Sequence, residues 1–462
     1  MSGEFDLLVE GAAVVTVDSG YRVFDPGYLA VKDGRIAAVG PLEDVPEGGA
    51  QSRSDSRSQE SLRAAASRVI DGRGKFVMPG FVNTHTHIPM AAFRGACEDV
   101  PDRLVRFIFP MENTLVTPDQ VYWSSLHSLV EMARSGTTTF ADMYYFENEV
   151  ARATAKSGLR ALLGETILGQ KAPDAAGAAE GMAYTARFID AWKGHPRIRP
   201  CYAPHAPYTV DADTLAWILR EAEQRDVDIM MHVAEMDFEH ARFSSAHGSV
   251  LRYLDTIGGL LSPRLLAVHM LYLDEADLQL AADRRLRVAH CPASNAKSGR
   301  KICPAWRLSQ AGVPLGLGTD GPLSGNGMDM QGVLNLFPKM QKVREGRRDI
   351  LTAKEALHAA TLGGAEVLGM DAEIGSLETG KRADFVIGDA RDFNIQPVFD
   401  WHATIVYAMR PHNVESVFVE GSAVVRNRRM TGFDEDEVME HTMELRASCT
   451  GFIAEIEKGL GR

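Results

Sequence analysis

Histidine is the residue type that most constrains the chemistry of this chain. Of 14 histidines, His85 and His87 stand two apart in FVNTHTHIP. On a strand, residues i and i+2 face the same side, so two imidazoles at this spacing can share one cation. Two ligands do not make a site, and a polar loop would carry the same letters. His232 closes the apolar run DIMM, with Glu235 three residues on in MMHVAE. Taken alone it reads as well as a satisfied core histidine. Asp320 ends GLGTD before Gly-Pro, a context that also suits a plain turn. Together these positions offer three imidazoles and one carboxylate at the ends of strand-like runs. That donor set favours Zn²⁺ or Fe²⁺ over Mg²⁺.

Other strand-end residues could handle protons or substrate around such a centre. His269 ends LLAVHM and His205 stands in YAPHAPYT. The first is a candidate base beside an activated water, the second a candidate substrate contact, and a buried structural histidine is the alternative for each. Glu235 is a candidate general acid/base that is not itself a ligand. Glu112, in FIFPMENTL, could accept hydrogen bonds from a substrate, unless it is an exposed loop glutamate. His290 in HCPASN and Asp142 in TTTFAD read as structural. The segments FIFPMENTL and RFSSAHGSV are expected to shape the pocket, with Phe107, Phe109 or Phe243 available to stack on a planar ring, or else simply packed in loops.

These side chains meet only if the chain between Met78 and about Glu345 folds in one particular way. Its apolar runs are PGFVNTH, TTTFAD, RALLGETI, RIRPCYAPH, VDIMMHVAE, RLLAVHM, LRVAHCP and VPLGLGTD. Each precedes a stretch of helical periodicity. Their near-continuous apolar character suits parallel strands covered on both faces. Eight repeats with polar residues gathered at one end point to a (β/α)8 TIM barrel, with an open doubly wound sheet as the alternative. Before and after the barrel the texture is β-rich: DLLVEGAAVVTVD, YLAVKDGRIAAVG and RVIDGRGKFVMPG at one end, GSLETGKRADFVIGD and VESVFVEGSAVVRNRRM at the other. A small β-sandwich-like domain built by both termini is therefore expected. The implied division is residues 1–76, then a barrel over 77–370, then 371–462 returning to the small domain with a terminal helix. The polar stretch PEGGAQSRSDSRSQESLRAAASR reads as a surface loop.

Composition narrows the class further. Lys+Arg 49 against Asp+Glu 62 gives a net charge of -13, which counts against a nucleic-acid groove. Five cysteines without CxxC spacing fit a reducing cytoplasm better than a disulfide framework. The N-terminus MSGEFDLLVEGAAVVTVD is no signal peptide, and no apolar run has the roughly 18 residues a membrane span needs.

With these residues in view, the chain resembles the amidohydrolase superfamily, in the deaminase and chlorohydrolase branch that contains methylthioadenosine/S-adenosylhomocysteine deaminases. The matching pieces are PGFVNTHTH, FPME, GTTTFADMY, APHAPYT, MHVAE, LLAVHM, HCPASN, GTDG and GSLETGKRADFV, in the family's order over nearly the whole chain. The resemblance implies a barrel with one divalent ion, zinc or iron. It implies His85, His87, His232 and Asp320 as ligands, Glu235 as proton shuttle, His269 as the holder of the attacking water, and Glu112 and His205 as substrate contacts. It further implies a homo-oligomer acting on a small heterocyclic molecule. The expected reaction is hydrolytic deamination of an aminated N-heterocycle (an adenosine-type nucleoside, purine, pterin or triazine), giving ammonia and the keto ring. Removal of chloride or an alkylamine from an s-triazine-like ring is the alternative. A catalytically silent, metal-free barrel is the reading from a different class. Two departures bear on the substrate: Glu165 falls where nucleoside-specific members carry an arginine late in the third strand, and SNAKSG lacks the usual apolar residue after its lysine.

Overall fold

The computed structural model describes residues 4–42, 59–100 and 103–459. Eight strands form the central sheet, in order Phe81–Thr86, Thr137–Tyr144, Arg160–Ile167, Ile198–Pro204, Ile229–Val233, Leu265–His269, Arg287–His290 and Leu315–Leu317. Neighbours pair in parallel from the first to the eighth. The first three are buried along their whole length, which is why they read as continuous apolar or small-residue runs. Polar groups stitch the first strand to the end of the eighth. Asn83 Nδ2 donates to Thr319 Oγ1 (2.8 Å), and Thr319 N donates back to Asn83 Oδ1 (3.0 Å). The Asp320 amide then bonds the His85 carbonyl at 3.1 Å. The sheet is thereby a closed (β/α)8 barrel. Close approach at this seam requires glycine: a Cβ on Gly318 would lie 3.0 Å from the N and O atoms of His85 and from Cys291 Sγ.

Helices cover the outside, and their starts carry the expected chemistry. Thr117 accepts from Gln120 N ahead of Pro118–Arg134, and Asp211 accepts from Thr214 N ahead of Ala212–Arg225. The lumen is filled by small and apolar side chains such as Val82, Ala141, Met230 and Val268. Ala365 and Leu368, in and just after the short helix Leu362–Val367, join the same cluster.

The terminal segments form one mixed nine-stranded sheet. Lys75–Pro79 is its hinge in sequence terms: it runs parallel to Leu7–Val15 and antiparallel to Phe385–Asp389, so it joins strands from both ends of the chain. Phe385 and Phe418 stack across neighbouring strands with centroids 4.5 Å apart. Arg160, buried at the start of the third barrel strand, bonds Asp384 at 3.2 Å and Glu420 at 3.1 Å and ties this sheet to the barrel. The stretch read as a surface loop differs in part. Residues 43–58 lie outside the described residues, but Gln59–Ala65 is a helix. Its Leu62 is fully buried against Phe5, Leu8 and Tyr28, because one apolar residue per turn is enough to dock so short a helix. Among the described residues no helix is long and apolar enough to cross a membrane.

Candidate metal centre and active site

The first, fifth and eighth strands end on the same side of the barrel and carry His85, His87, His232 and Asp320 there. The ligand atoms of His85, His87 and His232 all lie within 4.8 Å of one another. His85 Nε2 and His232 Nε2 are 3.2 Å apart, and His87 Nε2 is 3.6 Å from Asp320 Oδ1. The orientation of His87 is fixed from behind: its Nδ1 donates to the Met143 carbonyl (2.6 Å), leaving Nε2 with a free lone pair toward the centre. Burial and the neighbouring imidazoles hold His85 and His232 well below the usual histidine range, so both are neutral at pH 7. Three clustered imidazoles, with the Asp320 carboxylate beside His87, are the kind of donors a borderline divalent cation takes. Among the described residues, the buried Nδ1 atoms of His85 and His232 have no hydrogen-bond partner. The residues present therefore fit such an ion.

The backbone pays local strain here. Ala234, His269 and Asp320 adopt φ of 52°, 76° and 61°, a region non-glycine residues rarely occupy. All three sit at or just past the ends of the fifth, sixth and eighth strands. Asp142 braces the other side: its Oδ1 accepts from Thr86 Oγ1 (2.5 Å) and from Ile88 N (2.7 Å), gripping the chain on both sides of His87. Burial pushes the Asp142 carboxyl up to about 6.

A cavity of about 640 Å³ opens over the centre. It is lined by His87, His232 and Asp320, and also by Glu112, His205, Glu235 and His269. Glu235 Oε1 lies 3.6 Å from His269 Nε2, and Asn295 Nδ2 is hydrogen-bonded to His269 Nδ1 at 3.1 Å. Burial alone would raise the Glu235 carboxyl, but the His269 and Arg300 charges outweigh it and hold it low. Burial drives His205 down to about 4; its Nδ1 is bonded to Thr209 Oγ1 at 3.0 Å. Glu112 is pushed up to about 8 by burial. It is thus protonated at neutral pH and can donate a hydrogen bond as well as accept one.

Several expectations about the pocket change. Phe109 lines the cavity, whereas Phe107 is buried in the core and Phe243 stacks on Tyr253 at 4.3 Å; neither borders the cavity. The RFSSAHGSV segment contributes no lining residue. Tyr144, Tyr145, Tyr208 and Phe238 supply further aromatic walls, none of them singled out by its spacing. Glu165 faces away from the cavity: its Oε2 accepts from Glu147 N (2.9 Å), and Thr166 is the third-strand residue that lines the pocket. The alternation of a strand turns Glu165 away from a substrate in this cavity. His290 is buried behind the centre against Phe337, outside the lining. Arg300, whose guanidinium contacts Glu235 Oε1, went unnoticed in the sequence because it lies in the loop beyond the seventh strand.

Comparison with known proteins bears on the family and the fold. The sequence profile described as Amidohydrolase family matches residues 76–424. The chain is 38% identical over 442 residues to a 5-methylthioadenosine/S-adenosylhomocysteine deaminase of Syntrophobacter fumaroxidans, covering 95% of this chain and 97% of the relative. It is 33% identical to a 5'-deoxyadenosine deaminase of Methanosarcina acetivorans, covering 97% and 99%. Among solved structures, an adenosine deaminase from Xanthomonas campestris with bound zinc superposes with a TM-score of 0.90 at 33% identity, covering 97% of this chain and 99% of that one. A zinc-complexed atrazine chlorohydrolase from Arthrobacter aurescens, 22% identical with a TM-score of 0.84 over 95% of this chain and 100% of that one, shares the fold.

Proposed function

This chain belongs to the amidohydrolase family, and from that premise we propose that it is a metal-dependent aminohydrolase of an aminated N-heterocycle. The observation that carries the reading is the convergence of His85, His87 and His232, with Asp320 3.6 Å from His87, at a cavity that also holds Glu235 and His269. In this reading the first four residues hold one divalent ion. We assign zinc, in keeping with the nitrogen and oxygen donors and with the zinc bound by the Xanthomonas relative. Bound there, such an ion supplies a water that loses its proton near pH 7 instead of near 15.7.

The chain's own residues handle the rest. Asp320 and His269 flank the attacking water and take or orient its proton. Glu235, held as a carboxylate at rest, takes a proton released by the attacking water and passes it to the ring nitrogen beside the attacked carbon, where charge builds as oxygen adds. A second proton reaches the exocyclic nitrogen, the C–N bond breaks, and ammonia leaves the keto ring behind. Water is the only co-reactant. Glu112 and His205, both in the cavity lining, contact the substrate, and Phe109 is available to stack on a planar ring.

The relatives' names direct the substrate search to adenosine-type nucleosides such as methylthioadenosine, S-adenosylhomocysteine and 5'-deoxyadenosine. Removal of chloride would need the same proton on the ring nitrogen but none on the leaving group, so the choice of an amine rests on the deaminase names of the relatives. The test is ammonia release by the zinc-loaded protein from a panel of adenosine-type nucleosides, purines, pterins and triazines. The account expects ammonia in equal amount to substrate consumed for at least one aminated ring. Chloride or alkylamine release without ammonia, or no hydrolysis across the panel, would overturn it.

A further inference from the structure

Arg300 is a cation in the cavity that the reaction outlined above does not use. It follows the short helix Pro292–Lys297, and its amide donates to the Asn295 carbonyl at 3.0 Å. The same Asn295 holds His269. The guanidinium reaches back into the cavity and contacts Glu235 Oε1 through Nη1; the side chains are 24% and 12% exposed. Its other N–H groups make no hydrogen bond among the described residues. Two other cavity cations, Lys297 and Arg103, are occupied elsewhere. Lys297 is bound to Glu98 (2.6 Å) and Asn326 (2.5 Å), and Arg103 is bound to the Leu323 carbonyl (2.8 Å) and lies 3.5 Å from Glu98. Arg300 is the one aimed at the proton-handling carboxylate, with donors to spare.

Resting on the deaminase reading, we propose that Arg300 is a specificity-determining residue whose free N–H groups bind a carbonyl oxygen on the ring carbon next to the nitrogen that Glu235 protonates. The preferred substrates are then amino-oxo heterocycles. A carboxyl oxygen and a guanidinium N–H lying side by side match the edge of a ring in which a nitrogen is followed by C=O. The carboxyl serves the nitrogen and the guanidinium serves the oxygen. A substrate with hydrogen at that carbon leaves the half-buried arginine unsatisfied, and a hydrogen bond to a charged group of this kind separates such substrates by about 10- to 100-fold.

Isoguanosine and adenosine isolate the contact, because they differ by this one oxygen and carry the same ribose. Ammonia release by the zinc-loaded protein is expected to give a higher kcat/KM for isoguanosine. Arg300→Met should reduce the isoguanosine-to-adenosine ratio by about 10- to 100-fold, mainly through KM for isoguanosine. Arg300→Lys, which keeps a donor and the charge, should retain part of the preference. A merely structural tether for Glu235 would lower both substrates together and leave the ratio unchanged; that result overturns the proposal. So does a wild-type protein that turns over adenosine as well as isoguanosine. Absence of ammonia from every aminated ring of the wider panel instead overturns the deaminase reading, and this proposal with it.

Discussion

Replacing Glu235 by glutamine removes the carboxylate that relays a proton and changes almost nothing else in shape. Glutamine cannot pass a proton to a ring nitrogen and be reprotonated by solvent. The expected loss in kcat is that of a general acid/base, about 10²–10⁴-fold, or about 2.7–5.4 kcal/mol on the barrier. The fold should survive. The side chains of the Glu235–Arg300 pair are 12% and 24% exposed, so water can solvate the orphaned guanidinium, and a cost of about 1–3 kcal/mol is small for a chain with so large a core. Metal content should be unchanged, because the converging imidazoles are those of His85, His87 and His232. The assay is steady-state ammonia release paired with elemental analysis of the same preparation. Near-normal turnover at full metal occupancy would remove Glu235 from the proton path. Loss of metal in step with activity would instead make it a ligand.

Further outcomes follow from particular contacts. Because burial holds the Glu112 carboxyl at about 8 against an ordinary 4.5, the folded state binds an extra proton between those values. Stability should be fully retained below about 4.5 and fall as pH rises toward 8, by at most about 5 kcal/mol; urea midpoints across that range should flatten in Glu112→Gln, and an unchanged slope would contradict the assignment. Gly318→Ala would press a methyl against the His85 backbone and Cys291, at 3.0 Å. A loss of about 1–3 kcal/mol with weakened metal retention is expected, and a neutral effect on both would contradict a tight seam. Arg160→Met strands the buried Asp384 at the junction of barrel and terminal sheet, while Glu420 keeps Arg382 at 2.9 Å. It should cost about 3–5 kcal/mol in denaturant unfolding, and an unaltered midpoint would show that the junction holds without that pair.

The sequence made the barrel and the placement of its strand-end residues legible for one physical reason. Parallel strands covered on both faces are apolar throughout, so a polar residue at the end of such a run, as in DIMMH or GLGTD, stands out against them. Aromatic wall residues lack that contrast. Phe107 and Phe109 are two apart in one segment, and only the turn of the helical backbone there decides that Phe109 meets the cavity while Phe107 enters the core. Glu165 misleads for the reason His85 and His87 inform: strand alternation puts its neighbour Thr166 into the pocket. Arg300 and Asn295 act on residues distant in sequence, from a short helix and the loop after it that carry no periodic signal. Leu62 shows the limit of reading polar stretches as loops, since a single leucine docks its helix.

Elemental analysis of wild-type protein, His87→Ala and Asp320→Ala, purified side by side and each assayed for hydrolysis, tests the centre itself. The account predicts about one divalent ion per wild-type chain. In both variants metal content and turnover should collapse together. Full occupancy with undiminished activity in either one would contradict a single ion shared among the ends of the first, fifth and eighth strands.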